Sequence, residues 1–220
     1  VRNSRRARAM EKGSKFGRKQ QEDIWQSAEV DALYRLARAG VRVPEPFGCF
    51  DGVLLMELIT DENGDVAPRL SEVSMSEAQA HEDHAQVMHY VMCMLNAGLV
   101  HGDLSEFNVL VDQDGPVIID LPQAVDAAAN NNAFAMLERD VKNMTDYYGL
   151  FAPALLDSHY AQEIWTLYEN AELHPDLTLT GHFDMPTELA DVDSVMLEIK
   201  AALAEEESRK ERLREAEAED

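Results

Sequence analysis

Two runs constrain this chain more than anything else in its 220 residues: His101-Gly-Asp103-Leu-Ser105-Glu-Phe-Asn108, and Val117-Ile-Ile-Asp120 shortly after it. Asn108–Val111 and Val117–Asp120 are short β-rich segments. They flank Asp112-Gln-Asp-Gly-Pro116, which is turn chemistry, so together they predict a hairpin. Upstream, the spacing predicts a helix from about Ser76 to Ala97, with Val87, Val91, Met94 and Leu95 as its inward stripe. Ser74 and Glu77 have capping-box spacing at its start, and Gly98 supplies its stop. A helix, a loop and a hairpin in that order project Asp103 from the loop and fold Asp120 back beside Asn108.

That arrangement has a chemical reading. The template H-x-D-x-x-x-x-N, a hairpin and then an aspartate is the order protein kinases use. Phosphoryl transfer needs a carboxylate that orients the attacking hydroxyl and takes its proton. It also needs a metal clamp that offsets charge on the phosphate oxygens. Asp103 suits the first role. Asn108 and Asp120 bring two hard oxygen ligands to one divalent ion, as Mg²⁺ requires. His101 is read as holding the loop backbone. A lone H-x-D is weak, but these four residues on one helix–loop–hairpin are specific, because acids and an amide between apolar strands are costly unless they bind something.

His101-Gly-Asp-Leu-Ser-Glu-Phe-Asn108 and Ile119-Asp-Leu-Pro-Gln123 closely resemble the RIO family of atypical serine/threonine kinases. Upstream, Trp25, Glu29, Ala39-Gly40, Val43-Pro-Glu-Pro46 and Leu55-Met-Glu-Leu-Ile59 keep that family's order, so the resemblance runs from Trp25 to Tyr148. It implies an α+β, protein-kinase-like fold: a mostly helical C-lobe with a partial N-lobe. The expected divisions are 1–59 for the partial N-lobe, 60–203 for the C-lobe, and 204–220 for a charged helical or disordered tail. The resemblance makes Asp103 the catalytic residue and Asn108 and Asp120 the metal ligands. Glu29 matches the helix-C glutamate that pairs with the phosphate-anchoring lysine. Met56 matches the gatekeeper, Glu57 to Ile59 the hinge that meets adenine, and Ser105 a loop serine supporting the site. The implied cofactors are ATP and Mg²⁺, with Mn²⁺ as the alternative ion, and the implied partners are ATP and an unidentified protein substrate. In the family, the counterpart of Asp120 can itself accept phosphate, which makes an ATPase cycle a related expectation.

The sequence also departs from the family. No strand–glycine loop–strand precedes residue 20, and no strand places the anchoring lysine. Gly13-Ser-Lys-Phe-Gly17 fails phosphate-loop spacing. The expectation is of a chain that starts inside the family's domain. Two other readings follow: a small-molecule phosphotransferase like the aminoglycoside and choline kinases, or a catalytically incomplete nucleotide-binding scaffold. Ser105-Glu-Phe107 and Leu121-Pro-Gln123 favour the RIO reading over the small-molecule enzymes.

Charge narrows the partners. The formal net charge is -23, yet eight of the nineteen Lys and Arg residues fall in the first twenty positions against one acid, Glu11. The acidic remainder repels nucleic acid, so RNA contact is expected only through the basic N-terminal arm, if at all. No apolar run approaches a membrane span. Cys49 and Cys93 read as reduced core thiols, and the absence of a secretory h-region points to a cytoplasmic setting.

Elsewhere, Val53–Ile59 reads as a buried strand. His81, His84 and His89 read as a solvated helix face with Glu82 and Asp83 exposed. Phe134, Leu137, Val141, Met144 and Tyr148 form a helical stripe, with Asn130 to Asn132 offering N-caps. Further helices are expected over Ser158–Ala171 and from about Glu188.

Overall fold

A computed structural model of the protein describes residues 30–50 and 53–184. Packing divides the chain after His182, with Phe183–Asp220 as a second unit. All the described elements lie before that division. Glu29, Trp25, the helix expected from Glu188 and the tail over 204–220 lie outside the described residues.

Helix α1 covers 30–38 and buries Ala32, Leu33 and Leu36. Gly40 ends it at φ 84°, a backbone state that residues with a Cβ enter only with strain. Strands β1 (Pro46–Phe50) and β2 (Val53–Met56) then pair antiparallel, with Cys49 opposite Leu54. From the sequence, Pro44 and Pro46 forbid continuation of the preceding helix and give no strand signal of their own. Pro46 is tolerated because it is the strand's first residue. The reading of 53–59 as a buried strand is overturned. β2 stops at Met56, and Val53 and Leu58 are 67% and 68% exposed. Among the described residues this hairpin is two-stranded, so its outer face has no covering layer, and an apolar run alone does not ensure burial. Cys49 on β1 is exposed rather than a core thiol, whereas Cys93 is buried.

Helix α2 (Glu77–Asn96) is the centre of the fold. Every residue from Val87 to Leu95 is buried except His89, so its second half is enclosed on nearly all sides. It packs on the helices Ala133–Gly149 and Tyr160–Glu169 and on the strands Leu99–Val100 and Gly115–Ile118. Its N-cap is Ser76, whose Oγ accepts the Gln79 N–H at 3.2 Å. The cap therefore lies two residues beyond the Ser74 spacing. The solvated-face reading fails for two residues. His84 is 1% exposed, bonds Thr145 Oγ1 at 3.0 Å and meets Tyr148 and Tyr160 edge-on. Asp83 is also buried, where its Oδ1 accepts from Gln79 Nε2 at 2.8 Å. Burial holds the His84 imidazolium down, to a pKa of about 4.

Gly98, at φ 77°, turns the chain into β3 (Leu99–Val100), which pairs with β6 (Val125–Asp126). Between them lies the hairpin of β4 (Val109–Asp112) and β5 (Gly115–Ile118), with Val109 opposite Ile118. Its turn, Gln113-Asp114, is tighter than the five-residue turn expected. Asp112 Oδ1 accepts the Asp114 N–H at 2.8 Å and so closes it.

Helix α3 (Ala133–Gly149) buries Leu137, Val141, Met144 and Tyr148, as their spacing requires. Phe134 is half-buried and tilts against Trp165 at 5.3 Å. Asn132 is the N-cap residue but makes no side-chain cap bond. Asn130 Oδ1 accepts the Asn132 N–H at 2.8 Å in a preceding turn. A 3₁₀ stretch at Pro153–Asp157 leads to α4 (Tyr160–Glu169). Among the described residues no helix is long and apolar enough to cross a membrane.

Candidate active site

The loop between β3 and β4 is held from three directions. His101, at its start, is 2% exposed. Its Nδ1 faces the Asp103 N–H at 3.3 Å, and its Nε2 faces the Ile119 carbonyl at 3.1 Å. An N–H needs an acceptor and a carbonyl needs a donor, so the ring is neutral with its proton on Nε2. Burial favours that neutral form, lowering the His101 pKa against the nearby charges of Asp103 and Asp120. His101 thus ties the loop to the residue just before Asp120.

The second hold is Asp140, buried on α3. Its Oδ2 accepts the Gly102 N–H at 2.7 Å and its Oδ1 the Leu104 N–H at 3.1 Å. One carboxylate thus grips both neighbours of Asp103. Burial pushes Asp140 up to about 6, although the two N–H bonds and Arg139 pull the other way. Around it, Arg139 donates to the Gly102 carbonyl, and Asn143 Nδ2 donates to the Leu104 carbonyl at 3.0 Å. The third hold is Ser71, whose N–H donates to the Glu106 carbonyl at 3.1 Å.

Within this frame Asp103 is exposed. Asn108 donates through Nδ2 to the Asp103 carbonyl at 2.8 Å, and lies 3.5 Å from its Oδ2. That bond fixes the amide orientation, because only nitrogen can donate to a carbonyl. The Asn108 oxygen is left for a ligand. Ile119 donates its N–H to the Asn108 carbonyl at 3.0 Å, so the hairpin returns Asp120 beside Asn108. Asp120 is exposed and has φ 65°, a sparsely populated state for a non-glycine residue of the kind that gathers at functional sites. The structure therefore brings Asp103, Asn108 and Asp120 together. Among the described residues, no group of three or more His, Cys, Asp or Glu side chains could hold a metal ion. Two protein oxygens suit Mg²⁺, which keeps waters and takes substrate phosphate oxygens.

A cavity of about 500 Å³ opens beside Asp120, within the usual range for small-molecule sites. Met56, Glu57 and Ile59 line it, with apolar walls from Leu33, Leu54 and Leu110. The Glu57 carboxylate is engaged by Arg42, Nη1 to Oε2 at 3.1 Å. The Glu57 N–H donates to the Glu45 carbonyl at 2.8 Å, and the Ile59 carbonyl accepts from Ala67 at 3.0 Å. Ser105 is half-buried, and its carbonyl accepts the Asn108 N–H at 2.9 Å.

Sequence reasoning missed Asp140, Arg139, Asn143 and Arg42. For Asp140 a signal existed: it sits between Leu137 and Val141 on the inward face of α3, where an acid needs a reason to be. Arg42 carried no such signal, because its partners are distant in sequence.

A sequence model of the RIO domain matches residues 1–161. The chain is 41% identical over 124 residues to RIO-type serine/threonine-protein kinase Rio1 of Haloferax volcanii, covering 56% of this chain and 41% of that protein. It is 38% identical over 125 residues to human serine/threonine-protein kinase RIO1, covering 56% and 22%. It is 34% identical over 125 residues to the Rio1 kinase of Thermoplasma acidophilum, covering 57% and 63%. The chain thus spans less than two thirds of each of these relatives. With most of its length matched by that domain, and with a loop and hairpin that gather an aspartate, an asparagine and a second aspartate, the chain belongs to the RIO domain family.

Proposed function

We propose that the chain is the phosphoryl-transfer part of a RIO-type serine/threonine protein kinase or ATPase that uses magnesium-bound ATP. One observation carries this reading: Asn108 spends its amide nitrogen on the Asp103 carbonyl, and its own carbonyl accepts the N–H of Ile119, the residue before Asp120. Asn108 Oδ1 and the Asp120 carboxylate would hold the magnesium ion, and the cavity lined by Met56, Glu57 and Ile59 would take the adenine. The bound nucleotide supplies an electrophilic phosphorus whose charge the ion offsets. Asp103 orients the incoming hydroxyl and accepts its proton as the new oxygen–phosphorus bond forms and the bond from the γ-phosphorus to the β–γ bridging oxygen breaks, with ADP as the leaving group. A protein serine supplies that hydroxyl in the kinase reaction, and water in the ATPase reaction. Asp140, Asn143 and His101 touch no substrate; they keep the loop in place.

The test is ATP turnover by the purified chain and its Asp103→Asn variant. Removing a group that acts in proton transfer is expected to lower turnover about 10²- to 10⁴-fold. Turnover that survives the substitution sinks the assignment of Asp103. Rapid phosphorylation of an aminoalcohol or a sugar in a substrate screen would favour a small-molecule phosphotransferase instead.

A further inference from the structure

We infer that Arg42 is a positioning residue that fastens the rim of the nucleotide cavity to the metal-bearing hairpin; this rests on the nucleotide reading above. Arg42 lies between α1 and β1. Its fork reaches Glu57 twice, Nη1 to Oε2 at 3.1 Å and Nη2 to Oε1 at 3.4 Å. The same Nη2 reaches Asp112 Oδ2 at 3.0 Å. Glu57 Oε2 also accepts the Glu45 N–H at 3.1 Å. Glu57 follows Met56 on the cavity wall, whereas Asp112 is the last residue of β4, at the tip of the hairpin.

Arg42 also grips the other end of that hairpin through its backbone. Its carbonyl accepts the Ile118 N–H at 2.9 Å. Ile118 pairs with Val109 at the hairpin's open end. The next residue, Ile119, bonds Asn108 and receives His101. One residue therefore holds the tip by its side chain and the base by its main chain, while its fork holds the cavity rim. Displacement of Glu57 is transmitted to the hairpin that Asn108 and Asp120 flank.

The chemistry needs arginine. The Asp112 side chain is 5% exposed, and it lies close enough to Glu57 to disfavour that group's charge. A planar guanidinium satisfies both acids at once. A lysine ammonium is a point charge that cannot reproduce the fork. Burial opposes the ionisation of Glu57, but the Arg42 bonds and the Glu45 N–H outweigh it and hold Glu57 below its ordinary range.

The experiment compares the full chain with its Glu57→Gln and Arg42→Lys variants in two readouts. Glu57→Gln keeps the Arg42–Asp112 pair, so it folds even where loss of Arg42 does not. The first readout is hydrogen exchange at Ile118 and Ile119 without nucleotide. The second is affinity for ADP with magnesium, by titration calorimetry. Both variants are expected to exchange faster at Ile118 and Ile119. They are also expected to bind Mg-ADP about three- to tenfold more weakly, the scale of one ordinary hydrogen bond. Unchanged exchange at Ile118 and Ile119 in folded Glu57→Gln overturns the inference. So does wild-type Mg-ADP affinity in both variants. A parent chain that binds no Mg-ADP instead contradicts the nucleotide reading, and the inference built on it, whatever the exchange shows.

Discussion

Asn108 donates its side-chain amide to the backbone carbonyl of Asp103 at 2.8 Å. The same residue therefore shapes the loop and keeps its amide oxygen out of that bond. Asn108→Asp keeps the size but sets an acceptor against that carbonyl. The expected result is a loss of about 1 kcal/mol of stability from the missing bond, read as a lower urea midpoint at pH 7. An unchanged midpoint would mean the bond does not hold the loop.

Asp140 holds both neighbours of Asp103 from a buried position, and its pKa of about 6 lies above the ordinary 3.8. A carboxyl whose folded pKa is raised favours the fold in its protonated form. That contribution is full below about pH 3.8 and is lost as pH rises through about 6. Stability of the parent relative to Asp140→Asn should fall between these values and level off above them. Denaturation midpoints of the two proteins across pH 4 to 7 check this. A flat difference would contradict it.

His84 shows the opposite slope. Its folded pKa, about 4, lies below the ordinary 6.5 because the ring is buried. The neutral ring fits the fold, so stability is full above pH 6.5 and declines as pH falls toward 4. His84→Gln should flatten that decline. Thr145→Val removes the bond to His84 Nε2 and should cost about 1 kcal/mol at pH 7.

Tyr148 is fully buried, and its hydroxyl has no hydrogen-bond partner among the described residues. An unpaired buried hydroxyl carries a desolvation cost. Tyr148→Phe keeps the ring in the core between α2 and α3. It should leave stability unchanged or raise it by about 1 kcal/mol, measured by thermal melting. A clear loss would show that the hydroxyl has a partner.

The parts of this molecule legible in the sequence are those with local causes. The stripe Leu137, Val141, Met144 and Tyr148 repeats at helical spacing, and the structure buries it. The hairpin announced itself through its turn residues and β-rich flanks. Asp103, Asn108 and Asp120 are marked by spacing; the structure bonds Asn108 to Asp103 and pairs Ile119, the residue before Asp120, with Asn108. What stayed hidden depends on contacts between distant residues. His84 looks like a surface histidine until α3 supplies Thr145 and Tyr148. Arg42 looks like a loop cation until Glu57, just past β2, and Asp112, the last residue of β4, reach it. Val53 and Leu58 look like core residues, but no layer covers them among the described residues.

Under the proposed function, Asn108 and Asp120 bind a nucleotide through a divalent ion. The most direct test is titration of the purified chain with ATP, in magnesium and in EDTA, repeated with Asp120→Asn. Affinity in magnesium is expected to be at least about tenfold above that in EDTA, a difference worth about 1.4 kcal/mol, and the difference is expected to vanish in the variant. Equal affinity with and without magnesium, or a magnesium dependence that survives Asp120→Asn, would contradict it.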